Sequence, residues 1–89
     1  MPPYVGLDLE TRESFRDVGG WTPEKLTISL VGIFDARTGL ERTYRLEELS
    51  KLERVLADRP SVVGFNLLGF DYAVLKPVVS FDPYTLPTI

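Results

Sequence analysis

The sequence predicts a small α/β domain built on a mixed sheet. Three observations carry that reading. An apolar–polar alternation opens the chain. A β-branched hairpin pattern follows it. A segment of helical period then separates the hairpin from another short apolar run.

Residues 4–9 read as the first strand, with Val5, Leu7 and Leu9 alternating with Gly6, Asp8 and Glu10. Residues 12–23 are polar, contain Gly19-Gly20 and read as a loop, from which Trp21 is expected to fold back onto the core. Residues 26–34 read as a second strand and residues 40–45 as a third, joined by the turn Asp35-Ala36-Arg37-Thr38-Gly39. Charges on the third strand suit an edge position. Leu46, Leu49, Leu52, Val55 and Leu56 recur at helical spacing, with Glu47 and Lys51 one turn apart on the outside and Pro60 as the stop. Residues 61–65 form a short apolar strand. A second helix is expected from near Leu68 to Lys76, ended by Pro77. The stretch with Pro83 and Pro87 gives no element.

The order is β-β-β-α-β-α. A helix of about twelve residues before the fourth strand is long enough for a crossover, so that strand lies parallel to the first. The hairpin strands lie antiparallel on the other side.

Composition bounds the chemistry. The chain has 89 residues, enough for one domain at most, with 44% hydrophobic and 26% charged residues, as in an ordinary globular protein. The start Met1-Pro2-Pro3 lacks the basic and apolar regions of a signal peptide, and no apolar run is long enough to cross a membrane. A cytoplasmic protein with no membrane partner is the expectation. Having neither cysteine nor histidine, the chain can build no disulfide, zinc–thiolate site, His-dependent triad or His-ligated metal. Any metal must be a hard cation held by oxygen: Mg²⁺, Mn²⁺ or Ca²⁺. The net charge of −3 and the absence of a Lys/Arg run mean that attraction for a nucleic acid would have to come from such cations or from outside this sequence.

Side chains two apart on a strand share a face, so Asp8 and Glu10 are neighbours, with space beside them at Gly6. At roughly 7 Å and an effective dielectric of about 20, two such charges repel by about 2 kcal/mol, and a divalent cation reverses that sign. An edge strand with a solvated face would also tolerate the pair. Asp71 follows the fourth strand in Gly64-Phe65-Asn66-Leu67-Leu68-Gly69-Phe70-Asp71. Parallel strands end on one edge of a sheet, where α/β proteins bind ligands, so the topology brings Asp71 toward Asp8 and Glu10. Asp71 at a helix N-terminus, favoured by the dipole, is the other reading.

Asp8-Leu9-Glu10-Thr11 resembles the first motif of the DEDD superfamily, the 3′–5′ exonucleases with the RNase H-like fold. Asn66-Leu67-Leu68-Gly69-Phe70-Asp71 resembles the second: Asn, three residues, an aromatic and Asp. Asp17-Val18-Gly19-Gly20-Trp21 and Val63-Gly64-Phe65-Asn66, with Phe70-Asp71-Tyr72, look like the bacterial group of RNase H-like exonucleases. The proofreading domain of family B DNA polymerases is a more distant likeness. The resemblance covers residues 4–75.

It implies a single RNase H-like domain over residues 1–89, present in part. It also implies hydrolysis of phosphodiesters at the 3′ end of single-stranded DNA or RNA with two Mg²⁺ or Mn²⁺ ions. Carried over, Asp8 would bridge both ions. Glu10 would bind the nucleophile-side ion and orient its water, and Asp71 would bind the second ion. Thr11 would contact the terminal nucleotide, and Asn66 and Phe70 would position or stack against the strand end. Core packing is the alternative for Phe70, and a loop-capping hydrogen bond the alternative for Asn66.

The family also uses a fourth Asp on a later helix, with a Tyr or His four or five residues before it. Tyr4-Val5-Gly6-Leu7-Asp8 has that spacing, but on a strand its ends lie roughly 13 Å apart. The one acid after Asp71 is Asp82, which its neighbour Pro83 holds extended. The expectation is therefore a domain truncated at its C-terminus, weak in metal binding and poor in cleavage on its own, with an exposed sheet edge open to self-association. A non-catalytic RNase H-like module binding nucleic acid or protein is the alternative.

Overall fold

The computed structural model describes residues 4–20 and 22–89; Trp21 and its expected packing lie outside them. β1 (Tyr4–Thr11), β2 (Ile28–Asp35), β3 (Leu40–Tyr44) and β4 (Ser61–Val63) form one four-stranded sheet in the order β3-β2-β1-β4. β1 pairs antiparallel with β2 and parallel with β4, and β2 pairs antiparallel with β3. The fold is thus α/β with a mixed sheet, compatible with an RNase H-like arrangement, and the expected element order holds.

The alternation along β1 decides which face is covered. Val5, Leu7 and Leu9 are buried and join a core with Leu49, Leu52 and Leu56 of α1 (Leu49–Leu56). Asp8 and Glu10 point the other way and are exposed, although β1 is a central strand. A central strand apolar on both faces is the usual case. Here one face of the sheet stays open, which is why the acids are tolerated.

Several boundaries differ from the expectation for local reasons. β1 runs two residues longer, through Thr11. The helical pattern splits into a 3₁₀ turn at Leu46–Glu48 and α1, and Leu46 remains 36% exposed. The tight start arises where the Glu48 carboxylate accepts the Arg45 amide at 3.1 Å. It places Glu48, not Glu47, beside Lys51, at 3.6 Å. α1 stops before Pro60, and Arg59 takes a left-handed φ of 55°. β4 ends at Val63, two residues short of the expectation, because the chain turns at Gly64.

The second helix begins with a π-helical turn, Leu67–Asp71, closed by the Tyr72 amide donating to the Leu67 carbonyl, and continues as the short α2 (Tyr72–Leu75). The C-terminal stretch is also more ordered than its composition suggested. Pro83–Thr85 form a 3₁₀ turn. The Val62 amide donates to the Pro87 carbonyl at 2.7 Å and the Ile89 amide to the Val62 carbonyl at 2.9 Å, a parallel bridge beside β4. That bridge occupies part of the outer edge of β4, so β3 presents the open edge of the sheet. Among the described residues no helix is long and apolar enough to cross a membrane.

Candidate metal centre

Two strands and one turn position the carboxylates. β4 pairs with β1 only as far as Gly6 opposite Val63. Beyond that point β1 continues without a strand on that side, and the π-helical turn fills the space. The crossing is close at Gly64, where a Cβ would lie 2.6 Å from the Leu7 carbonyl oxygen and 2.7 Å from a Leu67 methyl. Only glycine fits there, and this contact brings the turn carrying Asp71 against β1.

Asp71 is the one buried acid among the described residues, 3% exposed. Burial pushes its carboxyl up to about 6 and the charge of Asp8 adds to the rise, while the backbone amides of Asp71 and Leu9 pull in the other direction. Asp71 therefore lies within electrostatic reach of the Asp8 carboxylate at the end of the sheet. Asp71 also stands at the start of α2, where the dipole alternative puts it, although its side chain makes no capping hydrogen bond.

Glu10 shares the exposed face of β1 with Asp8. The β1–β2 register shifts just beyond it, since Glu10 faces Leu30 but Thr11 faces Ile28. Such a bulge re-aims the side chains beside it. Among the described residues no three acids converge tightly enough to enclose a cation as they stand. The donor set of Asp8 and Asp71, all carboxylate oxygen with one acid desolvated, fits a hard divalent ion. Glu10 stands next to that pair and not within it.

The remaining candidates surround the carboxylates with more structural roles. The Thr11 hydroxyl donates to the Glu13 carbonyl at 2.8 Å. Asn66 takes a left-handed φ of 53°, makes no side-chain cap, and lies over Gly69, where a Cβ would come 2.6 Å from Asn Oδ1. Phe70 packs on the core and meets Phe15 edge-to-face at 5.7 Å. That contact ties the loop after β1 to the Asp71 turn. The same loop is pinned by Glu13, whose carboxylate accepts the Thr27 amide at 2.7 Å and hydroxyl at 2.8 Å. Asp82 accepts the Tyr84 amide at 3.0 Å and pairs with Lys76 at 3.5 Å, so it is held within its own turn.

The open space expected beside the acids at Gly6 is present, and it reaches further than the sequence indicated. A groove of about 720 Å³ crosses the open face, lined by Gly6, Asp8, Gly32, Phe34 and Phe65 among others. Phe65 is 94% exposed there, although its apolar neighbours read as strand. The signal was Gly64, which ends the strand before Phe65.

No protein-family model and no curated protein matches the chain. Among solved structures it is similar to the family B DNA polymerase from the hyperthermophilic archaeon Pyrobaculum calidifontis, with a TM-score of 0.60 and 16% identity over 85% of this chain and 10% of that chain. At that identity the likeness speaks to fold. This chain spans about a tenth of the polymerase's length.

Proposed function

We propose that this chain carries carboxylates of a metal-dependent 3′–5′ exonuclease site acting on single-stranded DNA or RNA. The observation that supports it most is Asp71: a buried carboxylate set against Asp8 where β1 outruns β4. Two acids in that relation destabilise the fold unless a proton or a cation lies between them. The likeness of fold to a family B polymerase is consistent with work on nucleic acid, and the motif resemblance supplies the finer reading.

Mg²⁺ or Mn²⁺ bound there would neutralise the phosphodiester and the charge that develops on it. Asp8 and Asp71 would hold the ion, and Glu10, exposed on the same face as Asp8, would orient water through its carboxylate. Asn66 offers a polar contact to the strand end, Thr11 can offer only an accepting oxygen because its hydroxyl proton is donated to Glu13, and Phe70 shapes the turn from behind. An acidic chain with a net charge of −3 gains attraction for phosphate once cations are bound.

The test is Mn²⁺ titration of the whole chain by electron paramagnetic resonance, with 5′-labelled single strands assayed alongside. The expected outcome is weak Mn²⁺ binding with at most slow Mn²⁺-dependent shortening, both lost in Asp8→Asn and Asp71→Asn. A second reading, a non-catalytic module that binds nucleic acid or protein, is favoured by the lack of a third acid at the Asp8–Asp71 pair among the described residues. Strand binding without Mn²⁺ uptake or shortening selects it.

A further inference from the structure

We propose that Tyr84 is a positioning residue for Asp71, latching the π-helical turn from outside the carboxylate motifs. The inference rests on the metal-centre reading above. Asp71 closes that turn, and the side chain of Tyr84 touches it on both sides. Its hydroxyl donates to the Leu68 carbonyl at 3.0 Å, and its ring meets Tyr72, the residue after Asp71, edge-to-face at 5.5 Å.

π-helical turns are rare and collect at functional sites, because the wider turn leaves backbone groups needing partners. Here an external hydroxyl supplies one, to the carbonyl three residues before Asp71. Tyr84 is itself braced. Lys76 Nζ sits over its ring at 5.6 Å from the centroid, Lys76 pairs with Asp82 at 3.5 Å, and Asp82 accepts the Tyr84 amide at 3.0 Å. Arg59, in the turn before β4, donates to the carbonyl of Thr85. Tyr84, 41% exposed, is thus held by its ring contact and its polar partners over the turn that carries the buried acid.

Tyr84→Phe removes the hydroxyl and keeps the ring, and at this exposure it leaves the core untouched. The whole chain and the variant are compared by two measurements at a pH above the Asp71 titration: amide exchange across residues 67–72 by nuclear magnetic resonance, and Mn²⁺ affinity by electron paramagnetic resonance. Exchange there should accelerate about five-fold, the effect of losing one neutral hydrogen bond. Mn²⁺ affinity should weaken by about the same factor, with exchange in β1 and β2 unchanged. Unchanged exchange in the turn overturns the latch. Faster exchange with unaltered Mn²⁺ affinity leaves Tyr84 a structural clamp and overturns the positioning role. A wild-type chain that takes up no Mn²⁺ overturns the metal-centre reading itself and the positioning role with it, whatever the exchange data show.

Discussion

The Asp71 carboxyl titrates near pH 6 because burial and, after it, the Asp8 charge favour its protonated form. Its folded pKa is raised above the ordinary value of 3.8, so the unfolded state releases this proton first. The stabilisation from protonated Asp71 is complete below about pH 4 and is lost as pH rises through about 6, a loss of about 3 kcal/mol for roughly two units. Asp71→Asn cannot ionise. Urea unfolding should find it more stable than the wild type by about 2–3 kcal/mol at pH 7.5, and nearly equal to it near pH 4. Asp8→Asn tests the second cause. By carbon-detected titration the Asp71 pKa should fall, yet stay above the ordinary range, because burial is the larger contribution. The pairing of Asp8 with Asp71 was legible in the sequence, since strand alternation and a parallel crossover are enough to converge two strand ends. The burial of Asp71 was not legible, because it depends on β4 stopping opposite Gly6 and leaving the turn to pack on β1.

At the scale of elements, the periods in the sequence located every strand and both helices, while the ends were set by contacts that no period encodes. β4 lost two residues to a glycine that has to pass the Leu7 carbonyl, and the second helix opened as a π-helical turn. Two glycines there predict different outcomes. At Gly64 an added Cβ meets the Leu7 backbone at 2.6 Å, and backbone has nowhere to go, so Gly64→Ala should destabilise by about 2–3 kcal/mol. At Gly69 the 2.6 Å contact is with the amide tip of the exposed Asn66 side chain, which can rotate away. The helix preference of Ala over Gly, about 0.5–1 kcal/mol, then offsets most of the cost, and Gly69→Ala should change stability by less than about 1 kcal/mol. Denaturant midpoints for the pair check this. Equal losses would mean that the close crossing at Gly64 does not govern the Asp71 turn.

Over the whole molecule the charges divide by location. Glu13, Asp17 and Asp35 have their carboxyls lowered, mainly by hydrogen bonds from Thr27, Ser14 and Arg37 respectively. Stability from those groups is present above their ordinary pKa and lost as pH falls below it. Asp71 works in the opposite sense and in a higher window. The two trends meet between them, so the stability of the chain should peak in mildly acidic solution, about pH 4–5, and decline toward neutrality. A domain of 89 residues has a narrow stability margin, so a decline of that size is measurable. A divalent cation held by Asp8 and Asp71 changes the balance, because it binds the ionised form and must displace the proton. Millimolar Mn²⁺ should leave the thermal midpoint unchanged near pH 4.5 and raise it by several degrees at pH 7.5, with chelation reversing the gain. In Asp71→Asn the pH 7.5 midpoint should already be high and should no longer respond to Mn²⁺. A wild-type midpoint that rises equally at both pH values would trace the effect to the exposed surface acids, and the buried pair would then have no part in holding the metal.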